Sequence, residues 1–512
     1  MKTVSDDLFR LIRSLNKSEK GYFKKFASKN AAGTKQNYII LFDAIDSLAE
    51  YDEELLKKKL KDPSLTKQLP VYKVYLFNLI LKALNQYGAY DSSETQLSEM
   101  LANIRILTSK HLYREANKII KKAKEIADKF DKHKYIMELL AAERHILMLT
   151  PAKNITEKRN SIHTQQEVLI ERMQEFFTQS LLCDRLTILV DNEADFRTKE
   201  NSALLDEIIS DENLRSPDKI KGYYAKMNFY HTHLIYNGAK GNNKDILKHL
   251  KNQIGYDEAN SHFVDENPQN YVYALINLLL YSHYAKDQAE IERTSAKLEA
   301  TKKKLKGKIP RENEIQILFH ASNTEMLIYE KNCDMAAGRQ KVKQIIEDFK
   351  TYGNEIPANI KSIMLVNLAC FNIIDENYSG AIKFLNTLLN DPLLNIRADV
   401  NQVARMLQLV IHYEMKNYDL LEYLLVSAKK FFGTGSKLSK TEQVILKFFG
   451  NIIKQPIEAH PQLFDELAFS IKRTTDTTGI LNYFNFIAWA KAHSKKIKLI
   501  EVLREYSAKD NR

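Results

Sequence analysis

Apolar residues along this chain fall in stripes spaced three and four apart. Leu97, Leu101, Ile104 and Leu107 make one stripe; after a polar break at 109–112, Tyr113, Ala116, Ile120, Ala123 and Ala127 make the next. That spacing gathers apolar side chains on one helical face, so 94–130 reads as helix, turn, helix. Nearer the N-terminus, Leu8, Leu11, Ile12 and Leu15 share a face of a helix that Ser5 can cap. Tyr22, Phe23 and Phe26 form a second face, and Ile40, Leu41, Ala44, Ile45 and Leu48 a third. The run 72–87 is apolar on most sides, as a helix buried among neighbours would be. These elements predict a helical cap domain over 1–93. Residues 133–177 read as another antiparallel pair interrupted by Pro151, and 180–216 have no clear register. Together, 94–216 are expected to form irregular hairpins. No segment alternates as a strand does.

From 217 onward the stripes become periodic. Polar turns are expected at 236–243, 284–288, 330–334, 375–379 and 415–419. An amide precedes each: Asn228, Asn277, Asn323, Asn367 and Gln408, at intervals of 49, 46, 44 and 41 residues. A period of this length signals stacked helical hairpins. Pro268, Pro310, Pro357 and Pro392 stand at junctions, where the residue before proline disfavours helix. The expected fold is all-α: an α-solenoid of stacked antiparallel hairpins with the N-terminal cap. The repeats occupy 217–454, and helices in 455–512 close the end of the array, which a stack with an exposed core requires.

At Asn367 the pattern resembles a known family. Asn367-Leu368-Ala369, followed by Asn377-Tyr378, Ala381, Leu385 and Leu388, resembles one tetratricopeptide (TPR) repeat. That family has Asn-Leu-Gly in its first helix, a Gly-Asp-Tyr-like turn, and Ala in its second. Asn417, Tyr418, Leu421, Leu425 and Ala428 are similar, as are Tyr113, Ala116, Ile120 and Ala123. The spacing exceeds the family's 34 residues, and Tyr230 and Leu279 stand where the family has Gly. The stretches 97–144 and 11–27 are also similar to uncharacterised bacterial helical-repeat proteins, a likeness that brings no activity with it. The TPR resemblance covers about half of the chain. It implies a superhelix whose first helices line a concave face and whose work is binding.

Composition agrees with helix. Fifteen Gly and ten Pro among 512 residues fall well below the roughly 12% of average usage. The length exceeds what one growing core supports. Three cysteines, Cys183, Cys333 and Cys370, have no metal or disulfide spacing. Charged residues Asp6, Asp7, Arg10 and Arg13 fill the N-terminus where a secretion signal would be apolar. With no long apolar run to span a membrane, the expectation is a soluble, cytoplasmic protein. The net charge of +11 permits an anionic partner without requiring one. Lysines cluster at 57–59 and 61, at 302–304, 306 and 308, and at 495, 496 and 498. Phosphate loops, paired-histidine zinc motifs and nucleophile elbows are missing from the sequence. His231 and His233 are two apart, about 200° around a helix. No cofactor, metal or enzymatic activity is expected.

The chemistry that remains is the amide column and one charged face. Arg397, Asn401 and Arg405 are four apart, on one helix face; two guanidinium groups around an amide suit a carboxylate or phosphate. Asn228, Asn277, Asn323, Asn367, Arg397, Asn401, Arg405 and Gln408 are therefore candidate groove residues. The competing reading has the amides bonding the next helix and the arginines pairing with acids such as Asp399. The functional expectation is a non-enzymatic scaffold binding a protein or peptide. The alternative is a nucleic-acid-binding or signalling regulator that uses the basic surfaces. The sequence does not fix an oligomeric state.

Overall fold

A computed structural model describes the chain except residues 1–5, 16, 31–34, 49, 61–62, 88–91, 151–153, 193–198, 306–308, 310, 395–397, 434–438, 475–478 and 510–512. Every regular element among the described residues is a helix, with no strand. The chain divides into two compact units, Met1–Ile106 and Leu107–Arg512.

The first unit holds α1 (Asp7–Ser14), α2 (Lys17–Asn30), α3 (Lys35–Asp46), α4 (Glu53–Lys59), α5 (Pro63–Lys67) and α6 (Leu69–Tyr87), then the start of α7 (Ser93–Ser109). Leu8 and Ile12 of α1, Phe23 of α2, Leu41, Phe42 and Ile45 of α3, and Leu76 and Ile80 of α6 make its core. Phe23 and Phe42 stack with ring centres 4.7 Å apart. The apolar spacing located most of this core, with one difference. Ile40 faces out, and Tyr38 takes the interior place against the rings of Tyr72 and Tyr75. Ser5, the expected cap of α1, lies outside the described residues.

The second unit opens with α8 (Tyr113–Lys129), α9 (His133–Leu149), α10 (Ile155–Asn192) and α11 (Lys199–Ile209). The stretch without clear register is explained by α10, one unbroken helix of 38 residues. Hairpins follow: α12 (Tyr223–Lys240) with α13 (Asn243–Ala259), the short α14 (Ser261–Glu266), α15 (Gln269–Ala285) with α16 (Gln288–Leu305), and α17 (Arg311–Lys331) with α18 (Met335–Tyr352). Next come α19 (Ala358–Ile374) with α20 (Tyr378–Asn390), and α21 (Ala398–Glu414) with α22 (Tyr418–Gly433). The unit ends with α23 (Lys440–Ile452), α24 (His460–Arg473), α25 (Gly479–Tyr483), α26 (Phe486–Lys495) and α27 (Leu499–Lys509). From α15 to α21, each first helix packs on its own second helix and on the next first helix. The order is that of a helical repeat.

One backbone device recurs at the five turns. The residue closing each first helix is left-handed: Gly241 (φ 72°), Lys286 (58°), Cys333 (55°), Glu376 (59°) and Lys416 (56°). The next N–H reaches back to the carbonyl five residues earlier: Asn242 to Asn237 (2.9 Å), Asp287 to Ser282 (3.1 Å), Asp334 to Tyr329 (2.9 Å), Asn377 to Asn372 (2.8 Å) and Asn417 to His412 (2.9 Å). These are Schellman closures, which satisfy carbonyls the helix leaves over. Four of the five place a side chain where the left-handed backbone costs about 1–2 kcal/mol. At three turns the following Asp or Asn offsets this by capping the second helix. Asp287, Asp334 and Asn377 accept, through Oδ1, the N–H of Glu290, Ala337 and Gly380, each at 3.1 Å.

Two of the hairpins pack closely because a small residue, Gly338 or Ala381, opens the second helix. A Cβ on Gly338 would stand 2.2 Å from the buried Phe371 ring. Ala381, Leu385 and Leu388, and then Leu421, Leu425 and Ala428, enter the main core of the unit, on the positions that carry the family resemblance. Trp489 of α26 is buried in the same core beside Phe449, Phe464 and Phe486.

Three substitutions measure the turn. Asn377→Ala removes a cap, at about 1 kcal/mol, and orphans a buried acceptor on Asn372, at about 1–3 kcal/mol. Gly338→Ala overpacks Phe371 and lowers stability by about 1–3 kcal/mol. Lys416→Gly relieves the left-handed strain and stabilises by up to about 1 kcal/mol. Urea unfolding monitored by circular dichroism gives the order, with Lys416→Gly the only variant above wild type.

Candidate functional site

The first helices present a polar ladder from one hairpin to the next. Gln269 on α15 donates its Nε2 to Gln316 Oε1 on α17 (2.6 Å), and the Tyr273 hydroxyl donates to the same oxygen (3.0 Å). Four residues on, Asn277 Oδ1 lies 3.3 Å from His320 Nε2. One helix further, Asn367 Nδ2 of α19 donates to Asn323 Oδ1 of α17 at 2.7 Å. The residues at 269, 273 and 277 follow helical spacing and form one polar row toward α17, whereas on α17 Gln316 and His320 face back to α15 and Asn323 faces forward to α19.

The structure thus brings Asn323 and Asn367 together and ties Asn277 to the following repeat. Asn228 is half-buried on α12, and its carbonyl accepts the Thr232 hydroxyl (2.8 Å). Gln408 turns to its preceding hairpin, where its Nε2 donates to Asn386 Oδ1 of α20 (3.3 Å). Asn401 is interior, beside the equally buried Gln402. Arg397 lies outside the described residues, as does the expected pairing through the Asp399 side chain. Arg405 is half-buried with its guanidinium 4.3 Å from the centre of the Phe431 ring. It forms no ion pair among the described residues, and burial pushes its pKa down.

A second set of amides, not singled out by the period, bridges the turns. Asn242 and Asn377 donate Nδ2 to Oδ1 of the buried Asn237 (3.3 Å) and Asn372 (2.7 Å). Asn237 and Asn372 in turn donate to the carbonyls of His233 (2.8 Å) and Leu368 (2.7 Å). At the fifth turn, Asn417 Nδ2 meets His412 Nδ1 at 3.5 Å. The available signal was an Asn-x4-Asn spacing, present at 237–242 and at 372–377.

At the far end of the repeats a cavity of about 310 Å³ opens between the ends of α19 and α21 and the pair α26–α27. Glu414, the last residue of α21, accepts at Oε1 from Trp489 Nε1 (2.5 Å) and His493 Nε2 (2.6 Å), and at Oε2 from the Tyr378 hydroxyl (3.3 Å). Burial alone would raise its carboxyl pKa; the hydrogen bonds from His493, Trp489 and Tyr378 outweigh burial and hold it below the usual carboxylate range. Beyond it, Lys498 pairs with Glu376 (2.7 Å), and the Ser507 hydroxyl donates to the Lys331 carbonyl (3.0 Å). Lys286 Nζ donates to the Ser507 carbonyl (3.2 Å). The C-terminal pair α26–α27 therefore touches four successive turns.

His231 and His233 do diverge. His231 faces Cys183 (3.6 Å), while His233 bonds the Leu214 carbonyl (3.0 Å) and stacks on His249 (4.4 Å). Burial lowers the pKa of both. Among the described residues no cluster could hold a metal ion, and no helix is long and apolar enough to cross a membrane. No family model, curated protein or solved structure matches the chain.

The Glu414 tie has a pH signature. Its depressed folded-state pKa contributes stability that is present above the ordinary carboxylate range and lost as pH falls through the folded value. Glu414→Gln should melt with a smaller drop between pH 7 and pH 4 than wild type. Glu414→Ala, which leaves the Trp489 and His493 donors without their acceptor, should cost about 2–4 kcal/mol at pH 7. Calorimetry across pH checks both.

Proposed function

We propose that residues 217–454 form a TPR-like solenoid and that the protein is a non-enzymatic, cytoplasmic scaffold whose first helices capture a protein or peptide. The observation that carries this reading is the half-used ladder. In the rung between Asn367 and Asn323, one donor and one acceptor are committed. The other half of each amide, Asn323 Nδ2 and Asn367 Oδ1, has no partner among the described residues and matches the N–H and C=O of a bound backbone. Arg405, without a carboxylate partner among the described residues, adds a grip for an acidic side chain or chain terminus. Each amide contact nets about 0.5–1.5 kcal/mol, so affinity comes from several in register.

Two features weigh against the other readings. Many of the clustered lysines are engaged: Lys57 with Glu54 (2.8 Å), Lys302 with Glu299 (3.1 Å), Lys304 with Asp265 (2.5 Å), Lys495 with Glu505 (2.9 Å) and Lys498 with Glu376 (2.7 Å). Lys61, Lys306 and Lys308 lie outside the described residues. Paired lysines release fewer counterions on a phosphate backbone. Glu414 is held by three donors that keep its carboxyl ionised, which suits a tie better than proton transfer.

Capture on immobilised protein from a nuclease-treated extract of the native host tests the reading. The Asn323→Ala, Asn367→Ala, Arg405→Ala triple variant should keep its helicity and lose at least tenfold in affinity for the captured protein. Undiminished capture by the triple variant would reject this face. Capture that disappears with nuclease treatment would move the assignment to nucleic acid.

A further inference from the structure

The long helix α10 carries a face that its own unit does not cover. Inward, Leu169, Leu182, Cys183 and Leu186 are buried where α10 packs on α9 and α12. Outward, Ile170, Phe177, Leu181 and Ile188 are 58–62% exposed. With the exposed Gln174 and Asp184 they form a single row, 170, 174, 177, 181, 184, 188, alternating steps of four and three. That is the spacing of a coiled-coil seam, and it runs about 27 Å along the helix. An apolar row of this kind on a protein surface marks an interaction site.

We propose that this seam is the interface of an antiparallel homodimer, α10 against α10. The occupant is a second copy because the row is complementary to its own reversal. Reversed about its centre, Ile170 meets Ile188 of the partner subunit, and Phe177 meets Leu181 of the partner subunit. Gln174 meets Asp184 of the partner subunit, and its amide donates to that carboxylate. The layers read apolar, polar, apolar, apolar, polar, apolar from either end. The two Gln–Asp layers fix the register, as single polar layers do in coiled coils. A parallel pairing would press Asp184 against Asp184 of the partner subunit, two like charges in a desolvated seam.

The flanking charges agree. Glu171 and Arg185 are both exposed, each one residue beyond a seam position, and neither forms an ion pair among the described residues. In the antiparallel register Glu171 lies beside Arg185 of the partner subunit, and the two-fold axis repeats the pair. Flanking pairs of this kind set orientation and partner choice. The arrangement is isologous and closed, as a two-fold dimer requires.

Sedimentation equilibrium on the full chain, with circular dichroism as the folding control, tests the proposal. Wild type should be a dimer, and Phe177→Glu with Leu181→Glu a monomer of unchanged helicity. Glu171→Arg alone and Arg185→Glu alone should each weaken the dimer about tenfold or more, because each places like charges together twice. The double swap should restore it. Thr178, beside the two-fold axis, supplies an orientation test: Thr178→Cys should cross-link to its own copy on oxidation, whereas wild type, whose three cysteines are all buried, should not. A monomeric wild type at about 100 µM, a dimer that survives Phe177→Glu with Leu181→Glu, or a double swap that fails to restore association would each overturn it.

Discussion

At each of five turns the end of one helix is closed by a left-handed residue and a backbone bond reaching five residues back, and most of this protein's second unit follows from that closure. Such a turn has no slack. It reverses the chain within a few residues and brings the opening of the second helix against the last turns of the first. At the third and fourth turns a small residue stands there, Gly338 against Phe371 and the fully buried Ala381, whereas the buried Ile246 and Leu421 fill the same place at the first and fifth. The conformation is strained for Lys286, Cys333, Glu376 and Lys416, so it persists where neighbouring bonds hold it. The caps Asp287, Asp334 and Asn377 provide them at three of the turns, at Asn372–Asn377 a side-chain bridge ties both sides, and after Lys416 Asn417 meets His412.

The same closure places the carbonyl ends of the first helices where the C-terminal pair α26–α27 can cross them. A helix C-terminus carries partial negative charge, and Lys498 and Lys286 bring cations to that edge. Glu414 and Glu376 sit there against the dipole. Each is held by donors: Glu414 by Trp489, His493 and Tyr378, and Glu376 by Lys498. The C-terminal pair is thus tied to the turns by charge-assisted bonds as well as by apolar packing around Trp489.

Helical content, the five turns and the core positions of the later repeats were legible in the sequence, because amphipathic spacing and short polar breaks report local geometry. Ile40 shows the limit. A stripe three and four residues wide allows either Ile40 or Tyr38 inward, and only the facing rings of Tyr72 and Tyr75 decide. The run of α10 through 180–192 was hidden for a related reason. Its outward face is as apolar as its inward one, with Leu181 exposed beside the buried Leu182, so a single stripe could not be seen. Arg405 shared a predicted face with Asn401, yet Asn401 is interior and Arg405 half-buried. One helical step of 100° separates core from surface, and spacing of four cannot resolve it.

The amides make the sharper case. Asn367 and Asn372 occupy one helix, five residues apart, and both are buried. Asn372 closes a turn within its own hairpin, while Asn367 reaches the preceding first helix at Asn323. An interval between repeats does not tell the two kinds apart, because the turn-bridging Asn237 and Asn372 also stand a whole number of hairpins from each other. What separates them is the number of groups left over. Asn372 donates to Leu368 and accepts from Asn377, so the turn uses both ends of its amide. The rung between Asn323 and Asn367 uses one end of each amide. Structural use and recognition therefore need not compete at Asn323 and Asn367: the bond that fixes the spacing of the helices also sets the direction in which the remaining donor and acceptor point.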